Sequence, residues 1–297
     1  MKISIILLNY NNEEDTLECV NSIKKNSKLI NEIIVVDNNS SEESKKVLKE
    51  NKNNYKLILN KENNGFAAGN NIGIKYAIDR LDEYILLLNN DTIIEDDCIE
   101  KLVDCMESDS SIGIVSSRIM YYDNPDKIWY CGGTIDWKKY IAIHSNMGKK
   151  YKQEGSIIDT EFISGCCMLV RREVFEKVGL LPEEYFMYYE DVDFCKMVLD
   201  ANYKLKVCTD SVIYHKVSSS SGGEDSPFSI KWCTRNRLIF MNKYKCDNYQ
   251  FKSKTFFYST RIIRAIQYLL KGEINKYKSL LEGIKLGREF NKQIHKK

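Results

Sequence analysis

A chain of 297 residues that is 43% hydrophobic and 29% charged is a folded globular protein, which excludes disorder as its main state. With 3 prolines and 15 glycines, collagenous and low-complexity readings fail too, and no run reaches the roughly 18 consecutive apolar residues of a membrane span. The net charge of +2 conceals a division: residues 226–297 carry 17 Lys/Arg against 4 Asp/Glu, which leaves 27 against 38 in residues 1–225. An acidic body suits a site that holds metal, and a basic tail suits an anionic partner that composition does not name.

The chain runs from Met1-Lys2 straight into an apolar segment at residues 3–8, with no pattern of an export signal. Further apolar runs at 32–37, 56–60, 84–89 and 112–116 read as strands, and their near-continuous Ile, Leu and Val content suits strands covered on both faces. Helical patterns lie between them. Asn12 and Asp15 precede Leu17, Val20 and Ile23, and Ser40-x-x-Glu43 reads as a capping box ahead of a helix through Glu50. A third helix begins in Glu95-Asp96-Asp97 and carries Ile99, Leu102, Val103 and Met106 at helical spacing. The alternation predicts an α/β fold with a mostly parallel central sheet flanked by helices. From about residue 117 the rhythm gives way to aromatic and glycine-containing segments around Trp129, Gly132-Gly133 and Trp137. A short helix at 172–178 stops at Gly179, Ser218 to Gly223 reads as a flexible loop, and the chain beyond Pro227 reads as helical.

The 10 cysteines are scattered: only Cys166 and Cys167 adjoin, and no C-x-x-C pair occurs. Cys98 and Cys105 fall inside apolar helical patterns. This usage predicts reduced, buried thiols in a cytosolic protein rather than a disulfide framework or a zinc site.

Ligands of open parallel sheets bind beyond the carboxyl ends of the strands. The polar residues there are Asn9-Tyr10-Asn11, Asp37-Asn38-Asn39 and Asn89-Asn90-Asp91, which together would make an acidic rim. Asn and Asp also favour strand-to-helix turns, so each triplet alone carries both readings. The stretch from Asn63 to Gly73 is the densest in small residues. It is either backbone that approaches a ligand closely or a helix-packing seam of Gly65, Gly69 and Gly73. Being neither G-x-G-x-x-G nor a P-loop, it does not indicate a nicotinamide or ATP site. Glu190-Asp191-x-Asp193, preceded by five residues from Tyr185 to Tyr189, is the best candidate for a general base, since carboxylates crowded by aromatics lose hydration. A solvated helix start accounts for the same carboxylates. His215 follows the apolar Val212-Ile213-Tyr214, while His144 and His295 have no suggestive neighbours.

Taken together, these segments resemble the family 2 glycosyltransferases, in particular the rhamnosyltransferase-like branch. The resemblance is carried in order by residues 5–11, Val35-Val36-Asp37-Asn38-Asn39-Ser40, residues 64–71, Leu86-Leu87-Leu88-Asn89-Asn90-Asp91-Thr92, residues 164–169, residues 186–193 and His215. It implies a GT-A fold over residues 1–225, with a nucleotide-sugar-binding half at 1–116, an acceptor and catalytic half at 117–225, and a basic helical extension at 226–297. It also implies an inverting transfer from a nucleoside-diphosphate sugar, dTDP- or UDP-linked and rhamnose by family habit, to a glycan or lipid-linked glycan. Asp37 would hold the base or ribose, with Asn9, Tyr10, Asn11 and Asn39 alongside. Asn64, Gly65, Gly69, Asn70 and Asn90 would line the donor pocket. Asp91 matches the last residue of the D-x-D metal motif and His215 the position that completes a Mn²⁺ or Mg²⁺ site. Asp191 matches the general base, flanked on the acceptor side by Glu190 and Asp193. One departure stands out: Asn89 occupies the place of the first aspartate of the metal motif, which should weaken the hold on a hard cation.

Two other function classes compete. A sugar-nucleotide pyrophosphorylase would open with a glycine-rich basic phosphate loop, and residues 7–14 contain no Gly, Arg or Lys. A catalytically inert nucleotide- or polysaccharide-binding module would have no use for Asp91, Asp191 and His215 together. The tail places Phe256, Phe257, Ile262, Ile263, Ile266, Leu269 and Leu270 beside Arg261 and Arg264. That pattern fits a helix on an anionic membrane surface, at the inner face of the cell membrane, and equally a helix packed on the body. No nucleic-acid-binding module accompanies the charge.

Overall fold

The computed structural model describes residues 2–151, 155–217, 225–245 and 250–294, so the loop expected from Ser218 to Gly223 and His295 lie outside the described residues. In chain order come β1 (Ile3–Asn9), α1 (Glu13–Asn26), β2 (Ile30–Asp37), α2 (Glu42–Glu50), β3 (Lys56–Leu59), α3 (Phe66–Asp79), β4 (Tyr84–Asn89) and β5 (Thr92–Ile94). There follow α4 (Cys98–Glu107), β6 (Ile112–Tyr121), β7 (Ile128–Tyr130), β8 (Gly133–Asp136), β9 (Ile141–His144) and β10 (Ile157–Asp159). The remainder is β11 (Cys167–Arg171), α5 (Arg172–Val178), α6 (Glu190–Asp200), β12 (Lys204–His215), α7 (Pro227–Lys243), α8 (Gln250–Leu270) and α9 (Ile274–Ile294). The chain divides into two compact units, one within residues 1–134, 144–186 and 190–220, the other within 135–143, 187–189 and 221–297.

The first unit is built on a sheet in the order β10-β12-β6-β11-β4-β1-β2-β3, with β5 also paired to β12 and β7 to β6. From β3 through β4 the strands run parallel, as the apolar runs predict. Beyond β4 the sheet becomes mixed, because β11 enters antiparallel to both β4 and β6 while β12 runs parallel to β6. Apolar side chains of β1 and β4 are almost wholly buried, consistent with strands covered on both faces. Helix α3 packs on β1 and β2, and α4 on β6 and β12.

The small-residue stretch forms the start of α3, and the seam reading describes its packing. A Cβ on Gly69 would stand 2.5 Å from Leu8 Cδ1, and one on Gly73 2.8 Å from Ile6 Cγ2. Gly65 caps the helix at φ +93°, where a Cβ would lie 2.0 Å from the Phe186 carbonyl oxygen. That closeness lets the Phe66 N–H donate to the same oxygen at 2.7 Å. The start of α2 differs from the capping box by one residue. Ser41 is the cap, accepting from the Ser44 N–H at 3.3 Å, because the Ser40 hydroxyl is turned inward to Asn9 and to the Asn11 N–H.

In the second unit, α7 begins with a Ser226 cap and Pro227 in the first turn, and packs along α9. Close approach is set by Gly283 and Gly287, whose added Cβ atoms would lie 2.5 Å from the Lys231 and 2.9 Å from the Arg235 carbonyl oxygens. Trp137 stacks on Phe240, and Arg237 Nε donates to the Lys139 carbonyl at 2.8 Å. Residues 187–189 join this unit through Asn236, whose amide donates to the Met187 and Tyr188 carbonyls at 2.8 Å each.

Gly65→Ala adds both left-handed strain and a backbone clash, whereas Gly148 at φ +76° has open space around it. We expect Gly148→Ala to cost about 1–2 kcal/mol and Gly65→Ala at least about 3 kcal/mol in urea unfolding.

Candidate active site

Strand register assembles the site. Parallel pairing sets Asn9 opposite Asp37, and Leu8 opposite Asn89, so three strands end along one edge. Buried polar groups there need partners, and they find one another. The Asn9 amide donates to Asp37 Oδ1 at 2.9 Å and Ser40 Oγ at 3.1 Å, and its carbonyl accepts from Thr16 Oγ1 at 2.9 Å. Asn90 then donates to Thr16 Oγ1 at 2.8 Å. Asp37 Oδ2 accepts from the Ser40 N–H at 3.1 Å. With both oxygens engaged and 0% of its surface exposed, Asp37 shapes the loop that follows it rather than facing solvent.

The exposed members of the expected donor set are Tyr10, Asn11, Asn39 and Asn64, with Asn11 and Asn39 held at φ 49° and 64°. Asn11 Oδ1 accepts from the Ser41 N–H at 2.7 Å, and Asn39 Oδ1 from Lys45 at 3.1 Å. Asn70 is buried and bonds back to the Phe66 carbonyl at 3.0 Å.

Asp91 lies in the turn between β4 and β5, and antiparallel pairing of β5 with β12 sets His215 opposite Thr92. His215 Nε2 therefore stands 3.1 Å from Asp91 Oδ1, with both side chains buried. Adjacent ligands in an octahedral shell with bonds near 2.1 Å are separated by about 3 Å, so this pair matches one edge of such a shell. The carboxylate oxygen suits Mn²⁺ or Mg²⁺, and the imidazole tilts the choice toward Mn²⁺. His215 Nδ1 is buried and lacks a hydrogen-bond partner among the described residues. Among the described residues no third His, Cys, Asp or Glu joins them there, so diphosphate oxygens or waters would complete the shell. The residues present fit a divalent ion.

At the start of α6, Asp191 Oδ2 accepts from the Gly165 N–H at 3.0 Å and Oδ1 from the Val192 N–H at 2.8 Å. Burial raises its pKa above the ordinary 3.8, and those two N–H groups and His144 oppose the rise. Glu190 is buried, and Oε2 has no hydrogen-bond partner among the described residues. Burial, and secondly the neighbouring Asp191 charge, push it well above 4.5. Asp193 is fully buried.

Two aromatic residues join the groups in space. Trp129 meets His215 edge-on at 4.5 Å and His144 at 5.1 Å. The His144 Nδ1–H donates to the Trp129 carbonyl at 3.2 Å, orienting a ring that lies near Asp191. Sequence reasoning passed over His144, Trp129 and Thr16. None sits in a recognisable motif, and only the pairing of β6 with β7 brings Trp129 to the sheet. Among described cysteines all but Cys233 are buried free thiols, with Cys19 and Cys98 pushed up to about 12 by burial.

The family model for glycosyl transferase family 2 matches residues 4–179, more than half of the chain. The chain belongs to glycosyl transferase family 2. It is a glycosyltransferase. It is 28% identical over 243 residues to the low-salt glycan biosynthesis hexosyltransferase Agl10 of Haloferax volcanii, covering 81% of this chain and 75% of that one. It is 25% identical over 178 residues to the dTDP-rhamnosyl transferase RfbF of Shigella flexneri, covering 56% and 53%. Among solved structures, GalNAc-T7 with UDP, GalNAc and Mn²⁺ superposes with a TM-score of 0.68 at 17% identity, over 88% of this chain and 50% of that one. The mannosyltransferase PcManGT from Pyrobaculum calidifontis, in complex with GDP-Man and Mn²⁺, gives 0.58 at 15%, over 95% and 73%. The chain thus spans between half and three quarters of these proteins. The fold they share with it is GT-A.

A buried acid with a raised pKa favours the folded state when protonated, so its contribution is lost as pH rises from the unfolded value toward the folded one. Wild type should therefore lose stability as pH climbs above the ordinary 4.5 of Glu190. Glu190→Gln should lose less over the same range, read by urea unfolding in a pH series.

Proposed function

We propose that this glycosyltransferase moves a sugar, rhamnose by the habit of its relatives, from a nucleoside-diphosphate donor to a hydroxyl of a glycan or lipid-linked glycan, inverting the anomeric carbon. What carries the reading is the convergence of Asp91 and His215, from distant parts of the chain, at 3.1 Å on the edge where β1, β2 and β4 end. Residues 1–116 would serve the donor, 117–225 the acceptor and the chemistry, and 226–297 would form the extension.

On the donor side, Tyr10, Asn11, Asn39 and Asn64 are exposed and available to the nucleotide, while Asn9, Asp37, Gly65, Gly69, Asn70 and Asn90 hold the loops that present them. The donor is taken as dTDP- or UDP-linked; RfbF is by name a dTDP-rhamnosyl transferase, while GalNAc-T7 is seen with UDP and PcManGT with GDP-Man. Asp91 and His215 would hold a divalent ion, with Mn²⁺ favoured by the imidazole, and when bound it neutralises the leaving diphosphate. Asn89, lacking a carboxylate, would contribute less. Asp191 accepts the proton of the attacking hydroxyl at a carboxylate oxygen, and its raised pKa makes it a stronger base than an ordinary aspartate. Glu190 and Asp193 would flank the acceptor, and the buried thiols fit a cytoplasmic setting at the inner face of the membrane.

A thermal-shift panel of UDP, dTDP, GDP and CDP, with and without Mn²⁺, tests the donor site. Saturation at a hundred times Kd stabilises by about 2.7 kcal/mol. We expect a Mn²⁺-dependent rise with UDP or dTDP that Asp91→Ala abolishes and Asn89→Ala reduces. An equal Mn²⁺ response in wild type and Asp91→Ala overturns the metal assignment.

Asp191→Asn should lower turnover about 10²- to 10⁴-fold. In wild type the acid limb of kcat/KM should report a pKa above the ordinary 3.8 of aspartate. Unchanged turnover in the variant removes Asp191 as base.

A further inference from the structure

Helix α8 uses one face to pack and leaves the opposite one bare. Ser253, Phe257 and Tyr268 are buried, and Arg261 lies inward over the Phe257 ring at 5.0 Å. At 100° per residue, Phe251, Ile262, Ile266, Leu269 and Leu270 fall within about a third of a turn on the other side, with Ile263 at its border. Phe251 is 83%, Ile262 62% and Leu270 84% exposed. Its aliphatic part, Ile262 to Leu270, runs roughly 12 Å along the helix at 1.5 Å per residue, and Phe251 stands about three turns before it with Thr255 and Ser259 on the same face between them. An exposed apolar patch of this kind marks an interaction site.

Charge indicates what covers it. Between residues 250 and 270 there is no acidic side chain, and Lys252, Lys254 and Arg264 are exposed, as is Lys271 just beyond. A second copy laid on the stripe would bring like charges together, which disfavours self-pairing. No helix of the described residues is long and apolar enough to cross a membrane. Aliphatic side chains flanked by cations fit a helix lying in the interfacial layer, with its lysines at anionic headgroups.

We propose that α8 docks the protein on an anionic lipid bilayer through the stripe of Phe251, Ile262, Ile266, Leu269 and Leu270. The inference concerns the second unit alone and stands apart from the donor chemistry.

The test is co-sedimentation of the full chain with vesicles of phosphatidylglycerol and phosphatidylcholine, against pure phosphatidylcholine, at low and high salt. We expect binding to the anionic vesicles that falls at high salt and drops at least tenfold in Ile262→Glu/Ile266→Glu. The variant's melting temperature without ligand checks that it folds, and Lys252→Glu/Lys254→Glu provides a second, surface-only variant expected to weaken binding. Binding unchanged in both variants, or none to anionic vesicles, overturns the proposal. So does a dimer in sedimentation velocity that the isoleucine variant dissociates, which would make the stripe a self-association surface. A missing nucleotide shift would leave these readings intact.

Discussion

The site depends on how a parallel sheet ends. Where β1, β2 and β4 stop, the ladder of backbone hydrogen bonds stops too, and the polar side chains that follow are buried against the helices packed on the sheet. A continuous chain of hydrogen bonds runs along that edge from Asp37 through Asn9 and Thr16 to Asn90. Leaving one member unsatisfied would cost about 1–3 kcal/mol, so each depends on its neighbours for a partner. The row ties the loops after β1 and β2 to the turn that carries Asp91. Tyr10, Asn11 and Asn39, exposed on those loops, are thereby positioned by groups that are themselves buried.

Three carboxylates of the first unit sit in different environments. Asp91 faces an imidazole, Asp191 accepts two backbone N–H groups, and Glu190 Oε2 has no hydrogen-bond partner among the described residues. Opposed environments are how one fold keeps one acid charged and another neutral. For Asp191 the balance is set by burial against N–H donation, so its basicity rises while its orientation stays fixed. Glu190 next to it is pushed well above its ordinary value by burial and by the Asp191 charge. Trp129, edge-on to both His144 and His215, places a rigid ring between the two ends of this arrangement.

Much of this was legible because its signals are local. The runs that became β1, β2, β3, β4 and β6 are apolar over their length, and the polar residues ending three of them mark the rim correctly. Strand β11, Cys167 to Arg171, is too short for periodicity to separate strand from helix. Strands β7 to β10 carry no clean alternation, and their pairing is decided by distant partners. Ser40 and Ser41 are equally good caps by residue type, and only the tertiary demand of Asn9 and of the Asn11 N–H removes Ser40. Burial was equally hidden. Asp37 carries the residue type of a ligand contact, yet its hydrogen bonds close on the protein.

Strand β12 pairs with β6 in two stretches, Cys208 opposite Ser117 and then Val212 opposite Arg118, so Thr209, Asp210 and Ser211 bulge out between them. The first stretch also holds β10 and the second holds β5, which brings His215 to Asp91. A bulge interrupts the alternation of side chains, so the face of His215 is set by its own pairing with Thr92 and Tyr121 rather than by counting residues from the first stretch. The two stretches of β12 are thereby uncoupled in register, and the one that carries the histidine answers to β5 and the end of β6 alone.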